Sequence, residues 1–205
     1  MAELIEFLPP SGIFGEPVSV LDLKHHARLD DDDTSLDAVI KSIYIPGARQ
    51  LAETRTGSAI RPARYRQRLR DFPRAGDAIA ITHGLVMTIE SITYSTGAGQ
   101  RATLDVAAVE SAVIGREMLV EPMSGSWPNA APGLRGVEIT YTAGLATADL
   151  AARYPTVRQW ILMAAAWAVE QPELFVMKDG IQGFQALPDS YLMGLLDPIT
   201  IGPRF

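Results

Sequence analysis

The sequence predicts an α+β fold, with N-terminal and C-terminal helices packed around a central antiparallel β region with hairpins. Three observations predict it. Apolar residues recur at three- and four-residue spacing from Leu36 to Ala52, the period changes to two between residues 60 and 142, and an apolar helical run returns at 156–169. The expected division of a single domain is an N-terminal extension at 1–16, a helical part at 17–57, a β-rich part at 58–145, a helical part at 150–198 and a tail at 199–205.

The first helix is expected to start at Ser19. In SVLD the Ser19 hydroxyl can accept from the amide of Asp22, whose carboxylate suits the positive end of a helix. The acidic run DDDDTSLD offers a second capping box at Thr34 and Asp37, opening a long helix to Gly57. Pro46 lies inside that helix and removes the amide that would bond the Ser42 carbonyl, so a kink or break is expected there. Strands are expected at 61–70, 78–82, 86–95, 101–109 and 137–142, with a hairpin at TGAGQ, where Gly97 and Gly99 can take positive φ. The stretch 123–136, rich in Gly, Pro and Ser, reads as a surface loop. In the last long helix, Val157, Trp160, Ile161, Ala164, Trp167 and Ala168 make one apolar face, while Leu162, Met163 and Val169 leave hardly any polar face. A helix apolar all round is covered all round, and a subunit interface through Trp160, Met163 and Trp167 is a natural cover in so short a chain. Pro172 is expected to end it, and a short helix in LPDSYLMGLLDP to precede the tail ITIGPRF.

Composition limits function. The chain has 205 residues, 47% of them hydrophobic, a net charge of -6 and no cysteine, so disulfides and thiolate metal sites are excluded. The opening MAELIEF has acids and no basic n-region, which makes a cytosolic origin the expectation; the longest apolar run, 160–169, is too short to span a bilayer. No membrane partner is expected. His25 and His26 are adjacent and point apart on a helix, and the acids 30–33 lack the alternating ligand spacing and turn glycine of a calcium loop. They read as helix-capping acids, not a metal site. SGSWP around Ser126 is not a nucleophile elbow, and only His83 lies outside the first helix as a base. No catalytic residue, metal or cofactor is therefore assigned.

The unusual feature is ARYRQRLRDF. Arg64, Arg66, Arg68 and Arg70 share one face of an extended strand, opposite Ala63, Tyr65, Gln67 and Leu69. Four like charges need acids, phosphates or water around them. Three explanations stand: protection of an exposed edge strand, pairing with acids of an adjacent subunit, or contact with a DNA backbone in a lumen.

The order of elements resembles that of tailed-bacteriophage head-tail connector (adaptor) proteins. The likeness begins with Lys24, His26 and Arg28, the acids 30–33, and a long helix ending at Glu53 to Gly57. It continues through IESITYSTGAGQ, VEITYTAG, the proline before the last long helix, that helix itself and ALPDSYLMGLLDP, spanning about 17–198. It departs at Pro46, at WAVEQPELF and at the long loop after Ile114. The resemblance implies a noncatalytic virion protein, assembled in the host cytoplasm, whose copies form a ring below the portal protein. DNA would pass through that ring, and a tail-completion protein would follow it. The tail ITIGPRF has β-branched residues, a Gly-Pro turn and no obvious packing register, so Thr200 to Phe205 is expected to be mobile in the free subunit and ordered against a partner; the resemblance implies that this partner is the portal, met through Ile201, Arg204 and Phe205. Another virion component of the same fold, a DNA-binding accessory module and, last, a metal-dependent hydrolase are the alternatives.

Overall fold

The structure is a computed structural model, and it describes residues 4–8, 15–74, 77–81, 83–97, 99–115, 117–170 and 189–201. The fold is α+β, and its residues form two compact units. Residues 57–145, together with 4–8 and Ile201, form a β unit; 15–56 and the described residues between 146 and 200 form a helical unit.

The β unit holds two antiparallel sheets. Strands β1 (Leu4–Leu8), β2 (Ala63–Leu69), β4 (Val86–Gly97), β5 (Gln100–Leu104) and β8 (Val137–Ala143) make a five-stranded sheet in the order β1-β2-β8-β4-β5. Strands β3 (Ile79–Ile81), β6 (Val109–Ile114) and β7 (Glu117–Pro122) make a second sheet in the order β3-β7-β6. Alternation sends Tyr65, Leu69, Val137, Ile139, Tyr141 and Ile92 into one core with Ile79, Ile81 and Val120 of the second sheet. Gln67 sits among them, fully buried, and its amide is satisfied by donating to the Ala80 carbonyl at 2.9 Å.

Against β8, strand β4 carries two register shifts, one of them between Ile89 and Ser91. That bulge explains why Ile89 and Ile92, three residues apart, both face the core, and why Glu90 emerges on the other side. The hairpin between β4 and β5 turns through Gly97 and Gly99 at φ 87° and 75°, as the sequence predicts. The stretch 123–136 differs from a plain surface loop. Trp127 is buried, stacks on Phe72 at 4.9 Å and donates to the Asp77 carbonyl, while Gly136 runs so close to the Arg70 carbonyl that a Cβ there would lie 1.9 Å from its oxygen.

In the helical unit α1 (Val20–Ala27) begins with the expected box: Asp22 N–H donates to Ser19 Oγ and Ser19 N–H to Asp22 Oδ2. The second expected box does not form. Asp37 lies 2.7 Å from Nζ of Lys24, a buried ammonium that also donates to the carbonyls of Asp31 and Asp33. A long-range ion pair has taken the carboxylate that local capping would have used. The acidic run is thus folded around Lys24.

The chain stays helical through Pro46, and the irregularity expected there takes the form of a change of helix type just before it. A short α2 (Asp37–Val39) passes into a π-helical turn at Ile40–Tyr44 and then into α3 (Ile45–Thr56). The Ile45 amide bonds back to the Ile40 carbonyl, so the wider turn falls where proline offers no N–H. Gly57 ends α3 at φ 69°. Helices α4 (Thr147–Arg153) and α5 (Pro155–Glu170) follow, with α6 (Asp189–Gly194) and a 3₁₀ turn at Asp197–Ile199 closing the described chain. The expected stop at Pro172 lies outside the described residues.

Candidate assembly surface

Strand β2 runs between β1 and β8, paired on both sides, so it is not an edge strand and the edge-protection reading is corrected. Its pairing is long-range, which no local pattern announces. Register places Arg66 beside Glu6 of β1, and Arg68 beside Glu138 of β8. These neighbours share the outer face of the sheet, away from the core.

The guanidiniums meet acids of their own chain. Arg64 places Nε 2.8 Å and Nη2 2.6 Å from Glu90 Oε2, and Thr142 Oγ donates to the other oxygen of that carboxylate at 2.7 Å. Arg68 reaches Glu6 at 2.8 Å and Glu138 at 2.9 Å, while Arg66 approaches Glu6 only to 3.6 Å. Arg101 of β5 and Arg135 also converge on Glu138, at 2.9 and 3.3 Å. Four guanidiniums, those of Arg66, Arg68, Arg101 and Arg135, thus share two carboxylates. Arg70 is exposed at the end of the strand. The face is cationic in excess on a chain whose net charge is -6.

The acids respond to this field. Burial pushes Glu138 up, but the hydrogen bond from Arg68 and the charges of Arg101, Arg66 and Arg135 outweigh it and hold the carboxyl below its ordinary 4.5. Glu90 is likewise raised by burial and lowered further by hydrogen bonds from Arg64 and Thr142 and by the Arg64 charge, so it too ends below 4.5. Sequence reasoning singled out the arginines and missed Glu6, Glu90, Glu138, Arg101 and Arg135. The acids are isolated in sequence, and only the sheet register brings them in.

The three apolar candidates of the last helix have different environments. Trp160 is buried within the single chain, under the Arg55 guanidinium at 5.8 Å from its ring, so it is not free to meet another subunit. Trp167 is 56% exposed and Met163 half-buried, and these two retain accessible surface on α5. Of the tail residues, Arg204 and Phe205 lie outside the described residues. Ile201 is packed: a Cβ built on Gly84 would meet its Cδ1 at 2.7 Å and Ser58 Oγ at 2.6 Å. Thr200 Oγ donates to the Leu196 carbonyl at 3.0 Å. Thr200 and Ile201 thus make contacts within their own chain.

A cleft of the helical unit, about 620 Å³, is lined by Val18, Ile45, Ala148 and Ala151 with the Arg158–Asp22 ion pair, 2.6 Å, beside them. Among the described residues no group of three or more His, Asp or Glu is placed to hold a metal, and no helix is long and apolar enough to cross a membrane.

No protein-family model matches the sequence, and no curated protein matches it. Solved structures do match. A chain from the neck of an empty GTA particle, computed with C6 symmetry, is 22% identical and superposes with a TM-score of 0.72 over 98% of this chain and 97% of that chain. A chain from the virion of a native gene transfer agent particle is 21% identical, with a TM-score of 0.73 over 98% and 97%. A third, from the neck of a native GTA particle computed with C12 symmetry, is 21% identical, with a TM-score of 0.63 over 95% and 98%. From one end to the other, the chain has the fold of these particle proteins.

Proposed function

We propose that this chain is a structural subunit of a virion neck, whose copies form a ring joining the portal vertex of a phage-like capsid to the tail, with DNA passing through. The observation that carries this reading is the end-to-end match to a neck chain, 98% of this chain over 97% of that one. The C6 and C12 symmetries of the matched necks support a cyclic assembly. In such a ring each subunit offers two different surfaces and the rotation closes. The subunit works by binding, without catalysis or cofactor, and its partners are its own copies, the portal protein and a tail-completion protein. It is assembled in the host cytoplasm and resides in the connector region of the virion.

Within this reading, Trp167 and Met163 contribute apolar contact to a neighbouring subunit, and the tail beyond Ile201, with Arg204 and Phe205, reaches the portal. The arginine-rich sheet face meets a neighbour. Arg64, Arg66 and Arg68 already hold carboxylates, and a channel that must release DNA gains little from gripping it. A second reading is favoured by the excess of guanidiniums over carboxylates on that face: the surplus charge tracks the passing duplex, and duplex binding then weakens steeply with salt.

Removing the chain from the particle that encodes it tests the proposal. DNA-filled heads without joined tails are expected. Normal tailed particles would contradict it, and tailed particles that fail only in DNA handling would favour a DNA-binding accessory module.

A further inference from the structure

The β6–β7 hairpin is an unusual piece of surface. β6 ends the order β3-β7-β6, so among the described residues its outer backbone edge pairs with no strand, and Glu110, Ser111, Ala112, Val113 and Ile114 are all exposed. Val113 and Ile114 are each 62% exposed. Beyond Glu110 the edge carries no charge, and an apolar edge of this kind is a template for pairing unless something covers it. The hairpin also carries an uncompensated cross-strand pair: Glu110 stands directly opposite Glu121, both exposed, and like charges in register repel. Residues 109–122 contain three glutamates and one arginine.

A patch of opposite character lies elsewhere in the β unit. Leu134 is 88% exposed, the most exposed of the large hydrophobic side chains among the described residues. Beside it, the Arg135 side chain is 65% exposed and shares Glu138 with Arg68 and Arg101. Arg101 in turn donates to the Arg135 carbonyl at 2.9 Å, which ties strand and loop together. The patch is apolar with surplus positive charge; the hairpin is apolar with surplus negative charge.

We infer that the β6–β7 hairpin of one copy docks on the Leu134–Arg135 patch of the next through the face that Ile114 shares with Glu110 and Glu121, Ile114 against Leu134, and Glu110 and Glu121 against Arg135 and Arg101. Hairpin against hairpin is disfavoured, since it would bring four carboxylates together. The contact is therefore between two different surfaces, the type that propagates around a ring. The inference deepens the ring reading and rests on it for closure.

The chain contains no cysteine, so site-specific cross-linking reads the contact directly. Ile114→Cys and Leu134→Cys are single substitutions at exposed positions, made in separate chains and mixed with a short bismaleimide. The exposed Ile43, with Ile43→Cys replacing Leu134→Cys, is the control. Docking raises effective concentration, so hetero-cross-linking should exceed the control by about tenfold or more. Raised salt, or Glu110→Arg with Glu121→Arg, should reduce it to the control level. Mass photometry of the unlinked wild-type chain is run in parallel. Ring-sized particles with no cross-linking above control would overturn the docking and leave the ring reading intact. Specific cross-linking with only open chains would support the docking and contradict closure. Neither ring nor specific link would overturn both.

Discussion

Arg68 of β2 and Glu138 of β8 are direct cross-strand partners, joined by a hydrogen bond of 2.9 Å from Nε to Oε1. Their side chains are only 15% and 12% exposed, so this pair lies between a solvated surface bridge and a fully buried one. Glu138→Gln removes the charge that Arg68, Arg101 and Arg135 share, and should cost about 2 kcal/mol of unfolding free energy. The loss should depend on pH. Because the folded carboxyl titrates below 4.5, its contribution is present above that value and lost as pH falls through the folded pKa. Urea unfolding of both proteins should therefore converge in acid; a difference that persists there would locate the effect in packing.

Lys24 organises the acidic turn, with Nζ 2.7 Å from both Asp37 Oδ1 and the Asp33 carbonyl. Lys24→Met keeps the aliphatic stem and strands these acceptors, so a loss of about 2–3 kcal/mol is expected. Hydrogen exchange should rise selectively at 30–37. Uniform acceleration across the chain would mean the ammonium serves global stability and not this turn.

Local signals carried much of the fold and little of the site. The Ser19 box, the Gly97 and Gly99 turn and the alternation of Tyr65, Gln67 and Leu69 are set by neighbours a few residues away, and each is legible. β1 was not, because LIEFL is five residues with apolar side chains at both odd and even positions around a single acid, which leaves no alternation to read. β6 was hidden by being an edge exposed on both faces, which leaves no alternation to read. Thr34 and Asp37 spelled a box, yet Lys24 claimed the acid from another helix. The arginines stood out at once, but their acids at 6, 90 and 138 are assembled only by the sheet and by the β4 bulge.

His83 packs on Tyr65 with ring centroids 4.3 Å apart, and burial holds its pKa below 6.5. The unfolded chain takes up a proton near 6.5 while the folded chain resists, so stability is present above that value and lost below it. Melting temperature should fall from about pH 7 to pH 5.5, and His83→Gln should flatten that slope. An unchanged slope in the variant would assign the pH dependence to other groups.

Ile201 fills the space that Gly84 leaves open, whereas the proposed function sends Arg204 and Phe205 to the portal. Removing residues 202–205 should leave the melting temperature nearly unchanged and weaken portal binding. Ile201→Ala should instead destabilise the subunit by about 1 kcal/mol, the cost of a half-buried aliphatic truncation. A large stability loss on removing 202–205 would place those residues in the fold of the subunit and not at its partner.

Electron microscopy of the purified chain mixed with its portal protein tests the central claim most directly. The account predicts a closed ring of this chain, coaxial with the portal, with an open channel along the axis. A portal that stays bare at saturating concentrations of the chain, or copies bound singly without closing a ring, would contradict it.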